Sequence, residues 1–421
     1  MAEQAARPTR PDVTIVGAGI IGVCSALALQ ERGLSVLLLD RQEPGEATSY
    51  GNAGIVSPWS CVPQSMPGIW KSLPKWLLHP EGPLRVRFRE LPKLLPWAAR
   101  FFANTRMQRV QEISDAMDGL MRGNVEAYRL LLKGTGQEEL LQDSWFINVF
   151  RGGSQPDLSD LGWRLRIDRG APVEVLSGEA LWAIEPELSP AFGHAVVIKD
   201  QARSVAPGRL CKALAGKAKR QGMGFARCEV KRLLPGDDGR IDLETDIGTI
   251  ETERLALCGG IWSAELLRPL GIKLPLASER GYHLEFMDPG VELNNSVLDV
   301  AGKFIVSSME GGVRSAGTSE FADVNSPPNY RRADILAPMS KRLVPRLNTS
   351  RSRRWVGARP SFPDNLPVIG AVPGFPKLYV AFGHSHYGLG MAPATGRLLA
   401  EGLVGTPPNE ERSRLSIERF L

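Results

Sequence analysis

A glycine-rich turn between two apolar strands, close to the start of the chain, restricts the fold more than any other feature. Residues 12–16 (DVTIV) have the character of a short buried strand, GAGIIG follows at 17–22, and LSVLLLD ends a second strand at Asp40. The intervening segment from Ile20 to Arg32 has helical spacing and stops at Gly33. This strand–turn–helix–strand unit is the context in which a G-x-G-x-x-G spacing indicates a dinucleotide site.

Each position of this turn has a physical reason. Gly17 permits a tight turn, Gly19 removes a Cβ where a pyrophosphate approaches, and Gly22 lets the helix pack close to the sheet. N–H groups at the helix start face the phosphates, and the Asp40 carboxylate accepts hydrogen bonds from ribose hydroxyls. The predicted cofactor residues of this unit are Gly17, Ala18, Gly19, Ile20, Ile21, Gly22, Asp40 and Arg41. The motif alone does not separate FAD from NAD, and a glycine-rich turn without a cofactor is the alternative.

Two further segments bear on that choice. Residues 45–58 (GEATSYGNAGIVSP) supply hydroxyl, amide and backbone donors for phosphate and a flat ring, with a polar surface loop as the alternative. Residues 378–403 (LYVAFGHSHYGLGMAPATGRLLAEGL) predict a strand, a glycine loop and a helix. A helix N-terminus there would stabilise negative charge on a reduced flavin ring, and an ordinary βα turn is the alternative. A second complete G-x-G-x-x-G is missing from the sequence, which disfavours a separate nicotinamide site.

Together these segments resemble the D-amino acid oxidase-like FAD-dependent oxidoreductases, a family with bacterial D-amino acid dehydrogenases, glycine oxidases and sarcosine oxidases. The resemblance covers nearly the whole chain, and VPQSMPG, SERGYHLEF and GARPSFPDNLPVIG are similar in particular to its glyphosate oxidoreductase members. It implies an α/β (mixed α+β) fold, with a Rossmann-like FAD-binding domain of the glutathione-reductase type. A substrate domain with a mixed, largely antiparallel sheet and helices accompanies it. FAD is expected to be non-covalent, because the GHSHYGLG loop holds no cysteine.

The resemblance also assigns cofactor contacts beyond the first motif. Positions near the pyrophosphate and flavin are Thr48, Ser49, Asn52, Ala53 and Gly54. Val230 corresponds to a position that contacts adenine through its backbone. The remaining expected contacts are Gly259, Gly260, Trp262, Gly383, His384, Gly388, Leu389 and Gly390.

Arg359, in WVGARPSFPDNLPVIG, is predicted to hold the substrate carboxylate. It matches the family motif G-x-R-P, and a planar guanidinium binds a carboxylate through two parallel hydrogen bonds. A surface salt bridge is the alternative. Weaker catalytic candidates are Tyr282, His384 and His386, each with a structural role as its alternative. The two histidines have no carboxylate close in sequence, so no metal site is expected.

The predicted activity is FAD-dependent dehydrogenation, or oxidative deamination, of an amino acid or N-substituted amino acid. A hydride passes from the carbon beside nitrogen to flavin N5, and water hydrolyses the imine. Candidate substrates are a D-amino acid, D-proline or hydroxy-D-proline, and an N-substituted glycine; candidate electron acceptors are a quinone, a carrier protein and O2. The alternatives are a flavin-holding electron-transfer subunit of a larger membrane-associated complex and a nicotinamide-dependent dehydrogenase. The Arg359 motif argues against the first, and the glycine patterns at both ends of the chain against the second.

The chain is expected to form two domains. A discontinuous FAD-binding domain takes 1–60, 200–265 and 350–421, and a substrate domain takes 61–199 and 266–349. Apolar spacing predicts one helix over 110–133, ended by Gly134. KFIVSSM and VRSAGTS predict a hairpin with its turn at Gly311-Gly312.

Composition limits the partners and the location. The net charge of +5 is small for 421 residues and does not favour nucleic acid. The five cysteines are scattered, which is typical of reduced thiols in the cytoplasm. Residues 1–12 show no apolar signal core, and no apolar run is long enough for a spanning helix, so a cytoplasmic protein is expected.

Residues 67–102 combine three tryptophans with many basic side chains. The interpretation favoured here is a set of helices that pack their tryptophans into the substrate domain. The alternative is peripheral contact with an anionic membrane surface, such as the inner membrane, which would suit electron transfer to a quinone.

Overall fold

A computed structural model describes residues 10–407 and 409–421 of the chain. The prediction about a signal segment therefore falls mostly outside the described residues. The strands are β1 Val13–Val16, β2 Val36–Asp40, β3 Ile55–Val56, β4 Leu84–Val86, β5 Leu141–Phe150, β6 Val173–Ser177, β7 His194–Ser204, β8 Gly224–Arg227, β9 Val230–Pro235, β10 Ile241–Thr245, β11 Gly248–Ile250, β12 Leu255–Leu257, β13 Ala277–Phe286, β14 Ser296–Asp299, β15 Phe304–Met309, β16 Gly312–Phe321, β17 Ser352–Ser361, β18 Val368–Val372 and β19 Phe375–Phe382. The α-helices are α1 Ile20–Gln30, α2 Leu73–Leu78, α3 Leu91–Ala103, α4 Met107–Met121, α5 Asn124–Leu132, α6 Leu161–Ile167, α7 Glu179–Ile184, α8 Pro207–Arg220, α9 Ser263–Leu267, α10 Arg331–Asp334, α11 Leu336–Leu343, α12 Gly388–Leu403 and α13 Glu410–Arg414.

A six-stranded sheet of order β18-β19-β12-β1-β2-β8 carries the first motif. Its strands are parallel except for β18, which runs antiparallel to β19. All four residues of β1 are buried, as an apolar central strand covered on both faces requires. Helix α12 approaches α1 so closely that a Cβ on Gly396 would lie 2.6 Å from the carbonyl oxygen of Cys24. The predicted Rossmann-like arrangement is confirmed.

A larger sheet stands beside it. Its ten strands include the path β17-β13-β16-β15-β14-β5-β7-β3, with β4 paired to β16 and β6 paired to β7. Most pairs are antiparallel, and β4–β16 and β14–β5 are the parallel exceptions. The predicted mixed, largely antiparallel sheet is confirmed. A separate three-stranded antiparallel sheet has the order β11-β10-β9.

Some local predictions hold and one is wrong. The hairpin of β15 and β16 forms as predicted, with Met309 paired to Gly312 across the turn. The single helix over 110–133 is instead two helices, α4 and α5, because Gly123 adopts a left-handed φ of 71° between them. The domain boundaries stay a prediction; β17, within the segment assigned to the FAD domain, pairs with β13 of the larger sheet.

Within the described residues, no helix has both the length and the hydropathy needed to cross a bilayer.

Candidate active site

One large cavity, of about 1330 Å³, lies between the two main sheets. One wall is formed by the carboxyl ends of β1, β2 and β12 and by the start of α1. The opposite wall comes from β13, β16 and β17, which contribute Gly281, Ser319 and Arg359. Ligands of open α/β sheets bind outside the carboxyl ends of the strands, so this position is the one expected for a dinucleotide.

Most of the predicted cofactor residues line this cavity. They are Gly17, Gly19, Ile20, Ile21, Asp40, Arg41, Thr48, Ser49, Asn52, Ala53, Val230, Gly259, Gly260, Trp262, Gly383, His384, Gly388, Leu389 and Gly390. Ala18, Gly22 and Gly54 do not line it and act behind its surface. The backbone N–H of Ala18 donates to Asp40 Oδ2 at 2.7 Å, and that of Gly54 donates to Asn52 Oδ1 at 2.8 Å.

The turn around Gly17 is tight and packs directly against the backbone of Cys258. Gly17 has a φ of 111°, and a Cβ there would lie 2.5 Å from the carbonyl oxygen of Cys258. Ser49 Oγ accepts a hydrogen bond from the backbone N–H of Ile20 at 3.0 Å, which ties the loop 45–58 to the start of α1. The eleven-residue helix α1 therefore directs its positive end at the cavity beside hydroxyl groups.

A second helix N-terminus enters the cavity from α12, with Gly388, Leu389 and Gly390 in the wall. Gly383 adopts a φ of 92°, which a side chain rarely permits. His384 is buried behind this turn, and its Nε2 lies 2.9 Å from Thr395 Oγ1. Burial lowers the pKa of His384 to about 3, so its imidazole is neutral at physiological pH.

Arg359 lies on β17 directly opposite Glu279 on β13. Its Nη1 donates to Ser319 Oγ at 3.1 Å and lies 3.6 Å from Glu279 Oε1. The Glu279 carboxylate accepts hydrogen bonds from Ser319 Oγ at 2.6 Å and from Ser361 Oγ at 2.9 Å. His386 Nε2 completes the shell of Glu279 at 2.7 Å, and it carries the hydrogen because an ionised carboxylate only accepts.

Glu279 is therefore the centre of the network that holds Arg359 and His386. Burial alone would raise the pKa of this carboxyl group. Its interactions with His386, Arg359 and Ser319 act in the opposite direction, and the pKa of Glu279 falls well below its usual range. The site thus keeps one fixed negative charge beside Arg359.

Tyr282 lies in the cavity wall, but its hydroxyl group is engaged within the larger sheet. It donates to Glu320 Oε2 at 2.6 Å and accepts a hydrogen bond from the backbone N–H of Asn329 at 3.0 Å. Burial and the adjacent Glu320 raise the pKa of Tyr282. The hydroxyl is fixed, so this tyrosine shapes the wall through its ring.

The sequence did not indicate several charged residues of this cavity. Glu279 belongs to the SERG segment, and only the register between β13 and β17 reveals that it faces Arg359. Arg166 on α6 and Lys303 before β15 also line the cavity. Arg166 lies in no recognised motif, and Lys303 begins the KFIVSSM segment, which indicated only a hairpin. Within the described residues, no three His, Cys, Asp or Glu side chains form a group suited to a metal ion.

The two-sheet fold and the cradle at the end of β1 define a dinucleotide-binding protein. Residues 12–402 match the model of the DAO family, which is described as FAD dependent oxidoreductase. The chain belongs to this family. FAD is its cofactor, and it oxidises amino acids, passing electrons from the amino acid to an acceptor. This assignment decides between FAD and a nicotinamide cofactor.

The relatives agree with this assignment over nearly the full length. The chain is 35% identical over 421 residues to a D-amino-acid oxidase from Bradyrhizobium diazoefficiens, covering 98% of this chain and 100% of that protein. It is 29% identical over 419 residues to a D-amino acid dehydrogenase from Vibrio cholerae, covering 97% and 98%. The crystal structure of glycine oxidase from Geobacillus kaustophilus superposes with a TM-score of 0.72 at 22% identity, covering 98% of this chain and 100% of that one. This last likeness concerns the fold.

Proposed function

We propose that Arg359 binds the carboxylate of the amino acid substrate. Its side chain lines the cavity and is 19% exposed, and the hydrogen bond to Ser319 engages one of the five N–H donors of a guanidinium. Glu279 fixes its orientation from the opposite strand. This partly buried arginine, in a cavity with two helix N-termini, is the observation that supports the proposal most strongly.

In this proposal, substrate orientation depends on three side chains, those of Arg359, Glu279 and His386. Arg359 holds the carboxylate, which fixes the direction of the bond between the α-carbon and nitrogen. Glu279 is a positioning residue for Arg359 and His386. The imidazole of His386 is anchored through Nε2, which leaves Nδ1 as the nitrogen able to face a substrate amine. His384 is neutral and holds the loop at the start of α12.

The FAD site is proposed to consist of the cavity-lining residues of the α1 and α12 termini and of the loop 45–58. Bound FAD supplies the acceptor for the hydride that leaves the carbon beside nitrogen. The chain contributes the geometry: the α1 terminus and Ser49 suit the pyrophosphate, and Asp40 suits the ribose. Binding is proposed to be non-covalent, because the five cysteines are all buried and none lies in the loop 383–390.

Three substrate classes fit this clamp: D-amino acids, D-proline or hydroxy-D-proline, and N-substituted glycines. The named relatives act on D-amino acids, whereas the segments similar to glyphosate oxidoreductase favour an N-substituted glycine. Dye-linked turnover with D- and L-enantiomers and with N-alkyl glycines tests the proposal. We expect turnover with one of these classes, and we expect that turnover to be lost when the substrate carboxylate is replaced by a carboxamide. Equal turnover of acid and carboxamide would contradict the role of Arg359.

Segment 67–102 is proposed to contact a membrane surface near the cavity entrance. Its side chains include strongly exposed apolar groups: Trp70 (60%), Leu78 (81%), Phe88 (84%) and Leu95 (66%). The predicted inward packing holds for Trp97, whose Nε1 donates to the carbonyl oxygen of Ser361 at 2.9 Å. Basic residues adjoin the exposed groups, including the exposed Lys71, Lys75, Arg89 and Lys93. This combination suits an anionic lipid surface and a quinone acceptor, and a cytoplasmic protein peripheral to the inner membrane would follow.

Vesicle sedimentation tests the membrane contact. The protein should sediment with vesicles that contain anionic lipid, and the double variant Leu78→Ser with Phe88→Ser should bind them at least about tenfold more weakly. Leu130→Ser, which removes an exposed leucine elsewhere, is the matched control. Equal binding by all three proteins would contradict the contact.

A further inference from the structure

Two cations at the substrate end of the cavity lack a carboxylate partner among the residues that the structure describes. Arg166 donates from Nη1 to the carbonyl oxygen of Gly162 within its own helix at 2.9 Å, and its guanidinium lies 5.2 Å from the ring of Trp163. Lys303 makes no salt bridge within the described chain, and both residues line the cavity. Arg166 is partly buried and Lys303 is exposed, so an anionic ligand in the cavity would supply the counter-charge that both side chains lack.

Lys303 has an unusual setting. Its backbone takes a left-handed φ of 56°, which residues other than glycine and asparagine seldom adopt. The nearby Asp299 carboxylate does not compensate it fully, because Arg151 and the backbone N–H groups of Ala301 and Gly302 already engage that group. Although Lys303 has an exposed surface toward the cavity, burial lowers its pKa, and proximity to Arg166 lowers it further.

Contacts along β16 and through Tyr387 link both cations to the network around Arg359. The backbone of Lys303 presses against β16 at Gly317, where a Cβ would lie 2.5 Å from the Lys303 carbonyl oxygen. Gly317 lies two residues before Ser319, which is the hydrogen-bond partner of Arg359. The Lys303 backbone therefore lies against β16, the strand that carries Ser319.

Arg166 reaches the same end from α6. A Cβ built on Gly162, one turn earlier, would lie 3.8 Å from Val62 Cγ1, and the Val62 carbonyl oxygen accepts a hydrogen bond from Tyr387 Oη at 3.0 Å. Tyr387 follows His386, the partner of Glu279. Arg166 also interacts electrostatically with Tyr387, so its side chain lies near the residue that follows His386.

The charges at this end do not balance for a simple amino acid. Arg166, Lys303 and Arg359 bring three positive charges, whereas Glu279 brings one negative charge. The other carboxylates in the cavity wall belong to the strand ends and helix near the predicted ribose and adenine contacts; they are Asp40, Glu229 and Glu265. An amino acid with a neutral amine and one carboxylate leaves a positive charge unpaired, but a second anionic group cancels it.

We infer that the substrate is an amino acid with a second anionic group, which Arg166 and Lys303 bind while Arg359 holds the first carboxylate. The inference rests on the proposed role of Arg359 and narrows the substrate class. The second anion has two possible sources, an acidic side chain or an acidic substituent on nitrogen. Its chemistry, a carboxylate or a similar oxyanion, is the same in both.

Matched substrate pairs test the inference on the purified holoenzyme. One pair is D-glutamate and D-glutamine, and the other is iminodiacetate and its monoamide; each pair differs by one negative charge at nearly constant shape. In at least one pair the acid should have a kcat/KM more than about tenfold above that of the amide, mainly through KM. Preference in the first pair places the anion on the side chain, and preference in the second places it on nitrogen.

Variants connect that preference to the two cations. Lys303→Met and Arg166→Met should raise KM for the preferred acid by roughly tenfold or more and change KM for its amide less than about threefold. Flavin content and visible spectrum should stay unchanged. Lys219→Met, on the exposed end of α8, removes one charge far from the cavity and is the control.

The outcomes separate this inference from the proposed function. If the amides are turned over as well as the acids, the inference of a second anionic group is overturned and amino acid oxidation stays intact. Acid preference that survives both variants would overturn the assignment to Arg166 and Lys303. Equal turnover after replacement of the first carboxylate by carboxamide would instead contradict the Arg359 proposal.

Discussion

Substitution of Arg359 perturbs the proposed carboxylate clamp with little change elsewhere. Arg359→Lys keeps the charge but loses the planar pair of donors, and Arg359→Met loses both. Glu279 keeps the hydrogen bonds from Ser319, Ser361 and His386 in either variant, so the fold should survive.

The magnitude follows from the contacts that are lost. Hydrogen bonds to charged groups contribute about 1.5–3 kcal/mol each, so losing one lowers kcat/KM by roughly ten- to a hundredfold in Arg359→Lys. Loss of both, with the charge, corresponds to about 3–5 kcal/mol or roughly a hundred- to several-thousandfold in Arg359→Met. The Lys variant should show the larger share of its loss in kcat, because the carboxylate still binds but in a poorer orientation.

Steady-state turnover with the best substrate, with flavin content measured in parallel, checks this expectation. Arg354→Lys is the matched control, since Arg354 lies on the same strand and pairs with Asp334 through Nε at 2.6 Å, outside the cavity wall. If Arg359→Met kept kcat/KM within about threefold of the wild type, the clamp would be refuted.

Other perturbations test the cofactor site and the fold. Gly17→Ala should abolish or severely weaken FAD binding, because its Cβ would meet the Cys258 carbonyl oxygen at 2.5 Å, whereas Gly33→Ala, with no atom within 4 Å, should keep its flavin; absorbance of the purified variants decides. Denaturation followed by filtration should release all flavin as free FAD, and protein-bound yellow colour would contradict non-covalent binding. The buried Glu185 has a pKa raised by burial from 4.5 to about 7. The contribution of Glu185 to stability is therefore fully present below pH 4.5 and is lost as the pH rises through about 7. Across this range the wild type should lose about 3 kcal/mol of unfolding free energy relative to Glu185→Gln. Unfolding midpoints of the two proteins should therefore diverge with pH, and parallel curves would contradict the raised pKa of Glu185.

Local sequence patterns predicted the cofactor half of the site well. Strand β1, the turn at Gly17 and helix α1 are contiguous, so alternation, glycine spacing and helix period indicate them directly. The same holds for β19 and α12 at the other end of the chain. The prediction of one helix over 110–133 was wrong because periodic apolar spacing continues across Gly123, and this spacing does not reveal that Gly123 has a left-handed backbone conformation.

The substrate half depends on contacts distant in sequence. Glu279 and Arg359 face each other through the pairing of β13 with β17, which no local pattern specifies. Arg166 and Lys303 come to the cavity from separate elements, and a charged residue on a short helix or in a turn is ordinarily solvent-exposed. Tyr282 is a catalytic candidate from the sequence, but its hydroxyl partner Glu320 lies on the neighbouring strand β16.

The central claim is that this flavoprotein removes a hydride from the carbon beside the nitrogen of an amino acid held by Arg359. Anaerobic mixing of the holoenzyme with D-glutamate, iminodiacetate and neutral D-amino acids, followed in the visible spectrum, tests it most directly. We expect one of them to bleach the oxidised-flavin band, with one equivalent of oxo acid released for each flavin, and Arg359→Met to bleach at least about a hundredfold more slowly. A yellow protein that no amino acid or N-substituted glycine bleaches, or equal rates for wild type and Arg359→Met, would contradict it.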